Sequence, residues 1–117
     1  MKRTLLTLAV TSLLATTAFA DPIHDAAATG DLAGVQAELD KGVDVNAKDG
    51  YGRTPLHEAK TKEIAELLIA KGADVNAKND EGKTPLDMAI DRKRTETIDL
   101  LRKHGGKTGD ELKAEGK

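Results

Sequence analysis

Two histidines occupy matching places in the chain, His24 in Pro22-Ile23-His24 and His57 in Pro55-Leu56-His57, and a third, His104, stands before a Gly pair near the C-terminus. Imidazoles are the usual metal ligands and general bases near neutral pH. Neither chemistry finds its partners here. No His-Glu-x-x-His accompanies these residues and the chain has no cysteine, so zinc has no ligand set. The neighbouring carboxylates, Glu58 beside His57 and Asp110 beside Glu111, lack a third group to orient them for proton transfer. The loop Asp44-x-Asn46-x-Lys48-Asp49-Gly50 has the alternating oxygens of a calcium loop. Its Gly falls one place late, Lys48 takes a ligand position and no Glu closes the loop. The same Asp and Asn have a complete account as turn residues bonding to nearby backbone. No catalytic residue, no metal site and no cofactor is expected.

Tyr51 is a different kind of candidate. With Phe19 it makes up the whole aromatic content of the chain, and Arg53 lies two residues away. Interface hot spots favour Tyr and Arg, so the pair reads as a contact anchor, the alternative being a solvated loop residue.

What positions these side chains is a repeat. Gly42-Val43-Asp44-Val45-Asn46-Ala47-Lys48 returns 30 residues later as Gly72-Ala73-Asp74-Val75-Asn76-Ala77-Lys78. Each copy is followed by Gly-basic-Thr-Pro-Leu, at Gly52 to Leu56 and at Gly82 to Leu86. Such self-similarity marks an array in which no unit buries its apolar face alone. Within a unit, Thr54 and Thr84 are good helix caps, and Pro55 and Pro85 fit a first helical position where a missing N–H costs nothing. A second helix follows with an apolar stripe at spacings of three and four: Leu32, Val35, Leu39; then Ile64, Leu67, Leu68; then Ile98, Leu100, Leu101. Gly42, Gly72 and Gly105 can end these helices in the left-handed conformation.

The chain resembles the ankyrin repeat family. The resemblance rests on Thr54-Pro55-Leu56-His57-x-Ala59 followed by Leu67-Leu68-x-x-x-Gly72-Ala73-Asp74-Val75-Asn76-Ala77, with further units before and after it. It covers about residues 21–106 as three repeats, near 21–50, 51–80 and 81–106. It implies an all-α solenoid of helix-turn-helix units joined by β-hairpin loops, acting as a protein-protein interaction module rather than an enzyme. It also implies that Thr54, Pro55, Leu56, His57, Thr84, Pro85, Leu86 and His24 form structural turns, the histidines bonding around the turn and to neighbouring backbone. Hairpin tips and first helices would form the recognition groove, which makes Tyr51, Arg53, Glu81, Lys83, Asp25, Glu58 and Met88 the partner-binding candidates. An accessory that protects or inhibits an exported enzyme is the competing functional reading.

The ends are distinct from the array. Lys2 and Arg3 precede an uncharged stretch ending in Ala18-Phe19-Ala20, the pattern of a signal peptide over residues 1–20. Its apolar centre is shorter than the roughly 20 residues of a membrane span. Cleavage after Ala20 leaves 97 residues with 16 basic and 20 acidic groups, a net charge near −4, which disfavours nucleic acid and anionic membrane as partners. The expected product is a monomer in a bacterial periplasm, or else secreted, without disulfides and starting at Asp21, which would cap the first helix. Residues 107–117 form a polar tail in which Thr108 to Glu111 could cap one further turn.

Two departures from the pattern stand out. The second repeat is three residues short, counted from Thr54 to Gly72 against Thr84 to Gly105, and the loss is expected in the connection between its helices, with Lys60 pointing outward. In the third repeat Asp87 stands in the His position and Asp91-Arg92-Lys93-Arg94 replaces the small, Gly-containing turn.

Overall fold

The computed structural model describes residues 22–116, so the leader at residues 1–20 and the cap expected at Asp21 lie outside the described residues. Among the described residues seven helices follow one another: α1 (Pro22–Thr29), α2 (Leu32–Asp40), α3 (Pro55–Glu58), α4 (Lys62–Ala70), α5 (Pro85–Asp91), α6 (Thr95–Lys103) and α7 (Gly109–Ala114). The first six pair as hairpins, α1 with α2, α3 with α4 and α5 with α6. First helices pack on first helices and second on second, α1 on α3 on α5 and α2 on α4 on α6. One core runs the length of this stack, through Ile23, Ala27, Val35, Leu56, Ile64, Leu68, Leu86 and Leu101. Its side chains are aliphatic and mostly small, which lets two helix layers approach closely. Among the described residues no helix is long and apolar enough to cross a membrane.

The helix starts obey local rules. The Thr61 side chain accepts from the Ile64 N–H and that of Thr84 from the Asp87 N–H, satisfying amides that a first turn leaves without partners. The second helices end at Gly42, Gly72 and Gly105, with φ of 91°, 98° and 84°. The apolar stripes are only partly buried: Ile64 and Leu68 are fully enclosed, Leu67 and Ile98 are half-buried, and Leu32 is 44% exposed, no unit among the described residues stacking beyond α2.

The expected β-hairpins are tighter than a strand pair, and no strand occurs among the described residues. Asp49 explains why. Its carboxylate accepts from the N–H groups of Tyr51 at 2.9 Å and Arg53 at 3.0 Å. Two backbone bonds, Asp49 N–H to the Arg53 carbonyl and Gly52 N–H to the Asp49 carbonyl, both at 3.0 Å, then close the reversal. Asn79 repeats this, accepting from Glu81 at 2.8 Å and Lys83 at 3.0 Å. Side chains thus take the bonds that strands would have exchanged.

The short second repeat loses length from a helix, whereas the sequence placed the loss in the turn. Helix α3 has four residues, against eight in α1 and seven in α5. Its last carbonyls therefore lack intrahelical donors, and the basic turn of the third repeat supplies them. Arg94 Nη1 donates to the Ala59 carbonyl at 2.7 Å and to that of Glu58 at 3.4 Å, and Arg92 Nη1 to that of His57 at 3.4 Å. On the opposite side the Lys60 N–H bonds to the Ala27 carbonyl of the first repeat at 2.9 Å. Lys93, between the arginines, has a φ of 56°, the conformation that Gly30 takes in the first repeat at 84°.

The polar tail is ordered as α7. The Thr108 side chain accepts from the Glu111 N–H at 3.1 Å while the Glu111 carboxylate accepts from the Thr108 N–H at 2.8 Å, a reciprocal cap. Leu112 is buried.

Candidate functional site

The inter-helix loops form a row of fingers along one side of the stack, held in register by side chains one repeat apart. His24 Nε2 meets the Arg53 carbonyl at 2.7 Å, and His57 Nε2 meets that of Lys83 at 2.9 Å. Asn46 donates to the Gly72 carbonyl at 3.2 Å and accepts from the Asp74 N–H at 2.8 Å. Asn76 does the same with Gly105 and Lys107, at 3.1 and 2.8 Å. The fingers also touch directly, Asp80 N–H donating to the Tyr51 carbonyl at 3.0 Å. A Cβ on Gly52 would collide with Asp80, so only glycine permits that approach.

His57 has one tautomer compatible with its neighbours. The Thr54 N–H donates to Nδ1 at 3.0 Å, which makes Nδ1 the acceptor and leaves Nε2–H to donate to the Lys83 carbonyl. Burial pushes the imidazole pKa below its ordinary 6.5, outweighing the Lys83 bond and the nearby Glu58 carboxylate that favour the charged form. A second proton would set Nδ1–H against the Thr54 N–H. A neutral, fully bonded ring is a structural joint with no free base.

At the third repeat the joint changes partner. What lies beyond Asp87 is the start of α7, which offers an N–H where the earlier joints meet a carbonyl. The Asp87 carboxylate accepts from the Gly109 N–H at 2.8 Å and from the Thr84 N–H at 2.9 Å. The Thr84 hydroxyl donates to the Lys107 carbonyl at 2.6 Å. A Cβ on Gly109 would clash with the Gly82 carbonyl. Exchange of a donor for an acceptor thus accounts for the Asp, and ties the start of α7 to the third repeat.

On the finger side, Tyr51, Arg53, Asn79, Asp80, Glu81 and Met88 line a cleft of about 200 Å³. Tyr51 is 68% exposed, and the Arg53 guanidinium carbon lies 4.7 Å from the ring centroid, within cation–π range. Of the sequence candidates, Tyr51, Arg53, Glu81 and Met88 meet here. Lys83 lies alongside, its Nζ 3.2 Å from the Asp91 carboxylate, which with Glu81 raises the lysine pKa. Asp25 is exposed on α1, apart from the cleft lining.

Glu58, also among the sequence candidates, is held inward. It is only 8% exposed, and its carboxylate lies 3.5 Å from Arg53 Nη1 and 3.8 Å from Arg92 Nη2, so it supports the arginines from beneath. Arg53 is likewise only partly available: its Nε holds Asp49 at 2.9 Å. Burial raises the Asp49 pKa, but the N–H groups of Arg53 and Tyr51 and the guanidinium outweigh it and leave the carboxyl below its ordinary 3.8. Asp80 and Asn79 are lining residues that sequence reasoning passed over. Their places opposite Gly50 and Asp49, one period of 30 back, were the available signal.

The arrangement is a shaped, mixed-polarity surface on the helix stack. A comparison with curated proteins finds no match. A family model described as ankyrin repeats, in 3 copies, matches residues 23–111, a span that includes α1 to α6 and the start of α7. The stacked hairpins, the Thr-Pro-Leu-His joint and that match agree, and the chain belongs to the ankyrin repeat family.

Proposed function

We propose that this chain is an exported, monomeric binding module without catalytic activity, and that it takes its protein partner on the face made by the finger tips and first helices. Ankyrin repeats are in general protein-protein interaction modules. The observation that supports this face is the exposed Tyr51 ring, braced by Arg53 at the mouth of the finger cleft. A large ring ordered by its neighbours loses little entropy on contact, which suits an anchor. Arg53 itself is a poor probe, because removing it also strips Asp49 and Glu58 of their counter-ion.

The test is Tyr51→Ala against capture of the native partner from the exported fraction of the host. Capture should fall by about tenfold or more, as for a hot spot, with the melting temperature nearly unchanged. Unaltered capture in this variant, together with loss of capture when the exposed Lys60 and Lys93 are changed to Glu, would move recognition to the helix-turn edge. Export rests on Lys2, Arg3 and the run to Ala18-Phe19-Ala20, and mass spectrometry of native protein should find Asp21 at the N-terminus. A full-length cytoplasmic species as the sole form would refute it.

A further inference from the structure

We infer that the finger cleft selects a cationic side chain, so that the partner presents a Lys or Arg there from a basic segment of protein; this deepens, and rests on, the assignment of the finger face as the contact surface. The inference follows from which charges around the cleft are already matched. Arg53 holds Asp49 at 2.9 Å and shares Glu58 with Arg92, at 3.5 and 3.8 Å. Lys83 holds Asp91 at 3.2 Å. Three cations are thereby committed to three carboxylates. Asp80 and Glu81 remain, both exposed at the tip of the second finger, both lining the cleft and neither in an ion pair among the described residues.

The cleft's other walls complete the fit. Met88 and the Tyr51 ring are apolar, and Arg53 covers one face of that ring. A Lys or Arg buries its methylene stem against such walls while keeping its head among carboxylates and water. An incoming Glu would meet the excess negative charge, and an apolar residue would gain nothing from it. At about 200 Å³ the cleft is smaller than the roughly 300 Å³ at which small-molecule pockets begin, so a side chain suits it better than a free metabolite.

Tyr51 is the chain's only Tyr and there is no Trp, so its fluorescence reports from the cleft directly. The probes are acetyl-Ala-Lys-Leu-Ala-amide and its counterparts with norleucine or Glu in place of Lys, titrated against full-length mature protein. The Lys peptide should bind roughly threefold to tenfold more tightly than the norleucine peptide, as expected for two exposed carboxylates. That margin should shrink between about 0.1 M and about 1 M salt, where the Debye length falls from about 10 Å to about 3 Å. It should vanish in Asp80→Asn with Glu81→Gln, isosteric changes expected to keep the melting temperature. Equal or tighter binding of the norleucine or Glu peptide overturns the inference. So does a Lys preference that survives the double substitution, or the absence of any Tyr51 response to the Lys peptide. A native partner lost on Tyr51→Ala but indifferent to the Asp80 and Glu81 changes would keep the finger face and remove only its charge preference.

Discussion

The two long edges of the stack solve one problem, supplying partners to backbone groups outside the helices, in opposite ways. Along the finger edge the first two repeats reuse equivalent positions: His24 then His57 on a carbonyl of the next repeat, Asn46 then Asn76 on the following loop, Asp49 then Asn79 within a finger. Along the helix-turn edge the period fails. Repeat two ends its first helix a turn early, and two arginines from repeat three bond the carbonyls so released. Periodic bonds can be read one repeat at a time. A deletion matched by a change in the following repeat can be understood only as a pair, since Asp91-Arg92-Lys93-Arg94 looks like an arbitrary charged turn until the missing residues of repeat two are placed against it.

Leu68, fully buried where both edges share the core, sets the scale for breaking this comparison. Leu68→Ala should cost about 2 to 5 kcal/mol in urea unfolding, and the half-buried neighbour Leu67→Ala distinctly less. A reversed order would mean that α4 is rotated from the orientation described here.

Arg94→Ala tests the aperiodic edge and should cost about 1.5 to 3 kcal/mol, the range for charge-assisted bonds to backbone. Because the lost bonds cross from repeat three to repeat two, hydrogen exchange in both repeats should quicken together. Faster exchange confined to repeat three would reduce the edge to independent turns.

The finger edge is broken by acid. His57 has a folded pKa below its ordinary 6.5, so above that value the ring is neutral in both folded and unfolded chains and contributes no pH dependence. As pH falls below 6.5 the unfolded chain takes the proton first, and stability declines until the pH passes the depressed folded value. The Asp49 contribution begins to be lost only as pH falls below 3.8, so the His57 effect sets in first. Urea midpoints of wild type should fall between pH 7 and about 5, with a shallower fall in His57→Gln. Parallel curves would show that the joint does not titrate.

Lys93→Gly gives the smallest effect, with the opposite sign. Lys93 holds a φ of 56° that costs a residue with a side chain about 1 kcal/mol or more. Glycine should remove that strain and, after its own entropy loss, leave a net gain of about 0.5 kcal/mol. A loss in thermal melts would indicate that the lysine side chain does more than hold the two arginines apart.

Much of this was legible in the residues. Helix starts at Thr-Pro, helix ends at Gly42, Gly72 and Gly105, and the two-layer packing of small aliphatics follow from local conformational preference and from a 30-residue period, which act without knowledge of distant chain. Tyr51, Arg53, Glu81 and Met88 could be gathered as one face from the family resemblance, which implies a groove of hairpin tips and first helices. Where a residue's surroundings come from outside its own unit, the reading failed. Glu58 looked like a groove residue from its place on a first helix, yet Arg92 of the third repeat and Arg53 of its own cover it. Asp87 looked like a defect in the His pattern until the next segment proved to offer a backbone N–H in place of a carbonyl. The sequence by itself determined the unit, its caps and the apolar stripes that must be covered, because those depend on backbone sterics and on apolar spacing. Only the tertiary structure decided which charges are matched and which remain free at the cleft, because ion pairs form between side chains that meet across repeats and whose distances no spacing along the chain encodes.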